Sequence, residues 1–431
     1  YTLHTNNIYK SVLTTHISGV KEMDILKQLQ KSPERGIALY EIDSTDGSID
    51  ERVKRYIAST PETRRVCTQS DLIDYIHQDF FSDVLKDGIK RIMLSDTMAS
   101  MLEETWGDRR KEDGTRNYID QYTILRGALN FDISKVIFNL GYRAKQQMRM
   151  AQREDTNGNG KEWVVYGSGE KKIFEKEEPE HVRNIHMVIG DISASGASIR
   201  DGLEKFVERM EEKHAEFRDE HNNHDAKYTI GSITLTTIGC INTEREVQKF
   251  VAENQQYFTD DFVFNLLYLE GRFGLADLDG TSIPNQKPGT DFLPGVGEGV
   301  LISPEFEKHW LSNPIYPLEK CIIYDGGGKR CDPQVALENV QDHFQKLQQL
   351  SSENGETLYE ALKKRCPYLM SNDIDEWRAT HPGWQDKEAI PDSVVQEVIN
   401  AKNSMLDKHL NTHKELMNIY KERIAYLQRL K

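Results

Sequence analysis

Apolar residues recur along this chain at two spacings. Residues 185–189 (IHMVI), 230–238 (IGSITLTTI) and 262–269 (FVFNLLYL) are short, nearly continuous apolar runs. The first two are followed by stretches with apolar positions three and four apart, over 198–217 and 244–257. Apolar runs without polar alternation suit strands buried on both faces, and strand–helix alternation predicts a mostly parallel sheet flanked by helices. The same reading extends toward the N-terminus. It predicts a strand over 89–94 (IKRIML) with a helix over 99–105, and a strand over 136–140 (VIFNL) with a helix over 143–151. Residues 37–42 read as a short strand, and 71–85 as a helix with Leu72, Ile73, Ile76, Phe80 and Val84 on its apolar face. A turn over 155–161 and apolar residues over 163–166 and 171–174 predict an inserted hairpin. A last strand is predicted over 321–324.

The pattern divides the chain into three parts. Residues 1–84 form a mixed or helical N-terminal extension, 85–330 the α/β domain, and 331–431 a helical C-terminal region. In the last part Ile399, Leu406, Leu410, Met417, Tyr420, Ile424 and Leu427 fall at helical spacing. They serve either as a seam for a homodimer or protein partner, or as an amphipathic helix on the protein's own core. Residues 279–300, rich in Gly and Pro, predict a long functional or disordered loop.

Composition narrows the function. A net charge of −15 disfavours general nucleic-acid binding. The five cysteines are odd in number and contain no C-x-x-C pair, which predicts a reducing cytoplasm rather than a disulfide framework or zinc site. No run approaches the roughly 18 apolar residues of a membrane span.

The candidate chemistry lies in residues 188–198, VIGDISASGAS. A buried strand would deliver Asp191 to the sheet's carboxyl edge, where ligands of α/β proteins bind. Ser193, Ala194, Ser195, Gly196, Ala197 and Ser198 follow. Their small side chains let a phosphate approach the backbone, and a helix N-terminus supplies N–H donors and partial positive charge. Asp191, an acceptor when ionised, suits sugar hydroxyls or a magnesium ion. A plain strand-to-helix turn capped by Ser198 is the structural alternative.

This segment resembles the ribose-phosphate loop of type I phosphoribosyltransferases. Met187, Val188 and Ile189 close the apolar run of that signature, Asp191 matches its second acid, and Ser195 to Ser198 match its phosphate-gripping end. Gly190 stands where the first acid normally lies. The resemblance implies a fold of that kind over about residues 85–330. It also implies a pyrophosphate loop at Gly141, Tyr142, Arg143 and Lys145, and a flexible catalytic loop over 153–174 with Arg153, Lys161, Lys171 and Lys172. Tyr268, Arg272, Phe273 and the 279–300 loop are candidates by position for the base-binding part, with core aromatics as the structural alternative.

The implied activity is magnesium-dependent transfer of ribose phosphate from phosphoribosyl pyrophosphate to a nucleobase or similar acceptor, with release of pyrophosphate. Asp191, Arg143 and Lys161 are its catalytic candidates, and Asp191 the metal ligand. The missing acid at Gly190 supports an alternative, a catalytically reduced nucleotide- or ribose-phosphate-binding module working with a protein partner. The large terminal decorations do not resemble compact salvage enzymes and suggest a specialised bacterial or phage member, of the kind found in conflict systems.

Overall fold

In a computed structural model the described residues are 24–32, 36–44, 49–70, 80–110, 112, 114, 117–124, 131–154, 161–166, 184–221, 228–276, 286–295, 297–323 and 333–431. Strands β1 (Asp24–Ser32), β2 (Ile37–Ser44) and β3 (Val53–Ser59) come first, then helices α1 (Pro61–Val66), α2 (Phe80–Met93) and α3 (Asp96–Trp106). The middle of the chain carries β4 (Tyr118–Ile124), α4 (Ser134–Asn139), β5 (Arg143–Glu154), β6 (Lys161–Tyr166), β7 (Asn184–Ser193), α5 (Ala197–His221), β8 (Thr229–Cys240), α6 (Ile241–Glu253) and β9 (Phe258–Leu275). Short strands β10 (Phe292–Leu293) and β11 (Leu301–Ile302) follow, then α7 (Pro304–Trp310) and α8 (Ile315–Leu318). The chain ends in α9 (Pro333–Asn354), α10 (Leu358–Arg365), α11 (Ile374–Thr380), α12 (Asp392–Lys408) and α13 (His413–Leu430).

The strands form one sheet in the order β1-β2-β3-β9-β8-β7-β4-β5-β6. Every pairing from β3 across to β5 is parallel. Antiparallel pairs close both sides, and β10 and β11 add to the far end of β9. The mostly parallel α/β sheet flanked by helices is therefore present. Strand β8 is buried along its whole length, as a strand covered on both faces must be.

Two cores sandwich the sheet. On one face α2, α3, α4, α7, α9, α10 and α13 pack, with residues such as Leu85, Leu102, Val136, Phe306, Phe344 and Leu427. On the other, α5 and α6 cover Tyr122, Ile189 and Leu235, joined by Trp377 of α11 and Val395 of α12. Helix α5 points Ile199, Leu203, Phe206 and Met210 inward, each worth about 1.5–3 kcal/mol when fully buried. The N-terminal segment contributes three strands to this sheet, followed by α1 and the start of α2. Tyr420 and Leu427 of the C-terminal region are buried in the protein's own core, whereas Leu410 is exposed at the α12–α13 turn. Among the described residues no helix is long and apolar enough to cross a membrane.

Several element assignments change. Residues 89–94 lie largely within α2, where Leu85, Ile89, Ile92 and Met93 make one buried helical stripe. A six-residue apolar window is too short to separate that period from a strand's. Residues 136–140 belong to α4 and its cap: Val136, Ile137 and Leu140 face the core while Phe138 is exposed. Residues 143–151 are strand, not helix, and pair with both β4 and β6. Residues 163–166 do form a hairpin arm, but its partner is β5; residues 155–160 and 171–174 lie outside the described residues. Residues 321–323 form no strand. The described part of the Gly- and Pro-rich segment packs against β9 through β10, with Phe292 fully buried.

Candidate functional site

The direction of the chain crossings singles out one place on the sheet. From β4 the chain steps to β5 through α4, on the α2–α3 face. From β7 it steps the opposite way to β8 through α5, on the other face. Adjacent parallel strands β4 and β7 therefore form a topological switch point, and ligands of open α/β sheets bind in the crevice outside the carboxyl ends of such strands. The β7–α5 loop stands there.

Asp191 is level with Thr237 on β8, and Ser193 with Gly239. Asp191 is largely buried; Ser195, Ala197 and Ser198 are exposed on the loop. The Ala197 N–H donates to Ser195 Oγ at 3.3 Å, and the Arg200 N–H to the Gly196 carbonyl at 3.0 Å, which starts α5.

The loop is moulded onto the first turn of α6. The Thr243 hydroxyl donates to the Ser193 carbonyl at 2.8 Å and lies 3.0 Å from Ser193 Oγ. The Cys240 thiol donates to the Ala194 carbonyl at 2.7 Å. Gly196 is left-handed at φ 78°, and a Cβ there would sit 2.9 Å from the Asn242 carbonyl oxygen and 2.9 Å from Thr243 Cα. Only glycine meets both demands. Beside Asp191, the Thr237 hydroxyl is fully buried with no hydrogen-bond partner among the described residues. Thr237, Cys240 and Thr243 were not singled out from the sequence. Their signal is the run 236–243 (TTIGCINT), where small polar residues bridge a strand end and a helix start much as in 191–198.

The position before Asp191 is closed to a carboxylate. Gly190 faces the α2–α3 side, and a Cβ there would lie 2.3 Å from Phe131 Cβ and 2.6 Å from its Cγ. The ring of Phe131, itself fully buried, fills the space that the first acid of the resembling family would need.

Gly141, Tyr142 and Arg143 are elsewhere. Arg143 is level with Tyr118 at the start of β4, whereas Asp191 lies near the carboxyl end of β7. Tyr118 falls level with residue 185, so at ~3.3 Å per residue the two sites are roughly 20 Å apart, on opposite edges of the sheet. Gly141 is the helix stop of α4. Its N–H donates to the Phe138 carbonyl at 3.0 Å and the Tyr142 N–H to the Ile137 carbonyl at 3.2 Å, the paired bonds of a Schellman motif. Tyr142 is buried edge-on against Trp106 and donates to the Gly107 carbonyl at 2.6 Å; burial pushes its phenol up to about 12. Arg143 donates to the Tyr118 hydroxyl at 3.0 Å and lies over that ring.

Lys161 begins β6 opposite Glu154, at the carboxyl edge but three strands from β7, roughly 14 Å at ~4.8 Å per strand. Residues 171 and 172 lie outside the described residues, as do the side chains of Lys145 and Arg153. Tyr268 and Phe273 are core residues, and Arg272 is locked in buried ion pairs with Glu244 and Asp24 at 2.7 and 2.6 Å. Among the described residues no group of three or more His, Cys, Asp or Glu side chains is arranged to hold a metal ion. No family model matches the chain, and no curated protein matches it.

Proposed function

We propose that this protein binds a ribose phosphate, phosphoribosyl pyrophosphate or a related nucleotide, in the crevice between β4 and β7. The observation that carries this reading is the placement of the Ser193–Ser198 loop, at the N-terminus of α5, on the topological switch point. The exposed Ser195, Ala197 and Ser198 would face the phosphate, with helix N–H groups as donors. Asp191 and the buried Thr237 hydroxyl beneath would meet sugar hydroxyls. A magnesium ion fits this donor set only as a substrate-borne ion, with Asp191 as a protein carboxylate and phosphate oxygens supplying other ligands.

Transfer to a nucleobase, with departure of pyrophosphate, is the stronger form of the proposal. It calls for cations around the leaving group and for tight positioning at the anomeric carbon. The Phe131 ring at Gly190 and the remote position of Arg143 favour the other form, a module that holds the ligand without turning it over.

Thermal unfolding with phosphoribosyl pyrophosphate and Mg²⁺, and with ribose 5-phosphate alone, tests the binding claim. A rise in Tm abolished by Asp191→Ala with Ser195→Ala is the expected result; folded protein that shifts with neither compound overturns it. Pyrophosphate release over a panel of nucleobases then separates the two forms.

A further inference from the structure

Asp191 points to the α5–α6 face of the sheet, as Met187 and Ile189 of its own strand do. The register fixes its neighbours there. Thr237 of β8 is level with it, and Tyr268 of β9 is level with Thr237. On the other side the β4–β7 pairing sets Tyr122 against Ile189, which brings Ile124 level with Asp191 two residues on. None of these three carries a carboxylate. Position 190, where a second acid would adjoin, faces the α2–α3 side, and Phe131 Cδ1 lies 2.7 Å from where its Cβ would stand. The acids in the first two turns of α6 are committed to cations. Glu244 binds Arg55 at 2.8 Å and Arg272 at 2.7 Å, and Glu246 binds Lys249 at 2.6 Å and Arg200 at 3.2 Å. Asp132, just ahead of α4, accepts the Ser134 hydroxyl at 2.6 Å.

In place of a second acid, Asp191 has the Thr237 hydroxyl beside it. That hydroxyl is fully buried and has no hydrogen-bond partner among the described residues. Gly239 shows where it points: a Cβ there would lie 3.2 Å from Thr237 Oγ1 and 3.2 Å from Thr243 Oγ1. Gly239 is level with Ser193 at the base of the phosphate loop, so the hydroxyl leans toward the carboxyl edge. A buried hydroxyl without a partner is a standing cost that a ligand's hydroxyl would remove.

We infer that Asp191 and Thr237 take the sugar hydroxyls directly, and that this site binds a ribose monophosphate without a divalent cation. The inference rests on the ribose-phosphate reading above and departs from the metal dependence that the family resemblance implies. Magnesium demands octahedral oxygen coordination, and proteins hold it with one or two carboxylates plus the phosphates of a substrate. Here the single phosphate sits on the N–H donors of α5, away from the sugar hydroxyls. A cation at those hydroxyls would meet one carboxylate and one neutral hydroxyl from the protein. A metal ion therefore enters only with a ligand that brings its own pyrophosphate.

Calorimetric titration with ribose 5-phosphate, in excess Mg²⁺ and in EDTA, tests this. The two affinities are expected to agree within about twofold, because no metal bond is gained or lost. Thr237→Val keeps the side chain's shape and removes its hydroxyl; it is expected to weaken binding about three- to tenfold, equally in both buffers. Thr237→Ser should restore most of the affinity. A tightening of about tenfold or more by Mg²⁺ overturns the inference, and so does unchanged affinity in Thr237→Val. Should Thr237→Val not fold, Mn²⁺ electron paramagnetic resonance on the unsubstituted protein decides. Protein with ribose 5-phosphate should leave the free Mn²⁺ signal where ribose 5-phosphate alone leaves it. Extra Mn²⁺ uptake that Asp191→Asn abolishes overturns the inference. Failure of the underlying reading looks different: folded protein that binds ribose 5-phosphate in neither buffer overturns the ribose-phosphate site itself, and this inference with it.

Discussion

The Phe131 ring lies against Gly190 so closely that a Cβ at 190 would fall 2.3 Å from Phe131 Cβ. The glycine before Asp191 is thus half of a packed pair, and the residue that excludes an acid there lies 59 positions earlier in the chain, 190 minus 131. Gly190→Ala is expected to cost about 3 kcal/mol, the upper end of overpacking in a closed core. Phe131→Ala alone should cost about 3–4 kcal/mol through the cavity it leaves. The pair should cost clearly less than the sum, because each change relieves the other. Urea unfolding of the four proteins measures that coupling, and strictly additive losses would refute the packing account.

Gly196 and Gly141 are both left-handed, yet their replacement should differ. At Gly196 a methyl group meets backbone atoms of Asn242 and Thr243 at 2.9 Å, which cannot swing aside. Gly196→Ala is expected to cost over 2 kcal/mol, combining about 1 kcal/mol of conformational strain with overpacking, and to abolish ribose-phosphate binding. At Gly141 the nearest atom is Cδ of the exposed Arg109 side chain, at 3.3 Å. Gly141→Ala should cost about 1 kcal/mol and leave ligand affinity intact. Equal ligand affinities in the two variants would contradict the site's placement.

These two glycines also show how far the sequence could be read. Residues 188–198 were legible because several local signals agreed: an apolar strand, an acid at its end, small residues, then a helical stripe. The segment around Gly141 offered similar letters, and there the local reading failed. Short β-branched runs such as 136–140 suit either element, and tertiary packing decided for helix. The edge of the sheet on which a loop falls depends on strand direction and order, which no local window contains. Thr237 meets the loop through the register of β7 on β8, Thr243 through its hydrogen bonds to Ser193, and Phe131 by packing on Gly190, and all three act from distant positions in the chain.

Two groups beside α7, His309 within it and Glu270 of β9 at its N-cap, have pH effects on global stability that oppose each other. His309, pushed down to about 4 by burial and by the charges of Arg64 and Arg65, is neutral in the folded protein. The unfolded chain takes up that proton below about 6.5, so stability falls as pH drops from 6.5 toward 4, by at most about 3 kcal/mol. Glu270, raised to about 7, makes stability fall as pH rises from 4.5 to 7. The native protein should therefore show a shallow profile between pH 4.5 and 6.5. His309→Gln should fall with rising pH and Glu270→Gln should climb. Denaturant midpoints across that range check the signs, and slopes of the same sign in both variants would defeat the assignment.

Four charges make a closed ring on the α6 face, with Arg55 from β3, Arg272 from β9, Asp24 from β1 and Glu244 from α6. Arg55 pairs with Asp24 at 3.0 Å and Glu244 at 2.8 Å, and Arg272 pairs with Glu244 at 2.7 Å and Asp24 at 2.6 Å. Both arginines and Glu244 are almost fully buried. Removing one member leaves an unbalanced charge out of water, so Glu244→Gln is expected to cost about 3–5 kcal/mol. Removing opposite charges together leaves the matched Arg55–Asp24 pair standing. Glu244→Gln combined with Arg272→Met should then cost less than the two single changes added, by about 1–3 kcal/mol. Glu244 lies one residue beyond Thr243, which bonds the β7–α5 loop. The single change should thus weaken ligand affinity along with stability, and the double change should recover part of both. A double variant as unstable as the sum would mean that the ring contributes packing alone.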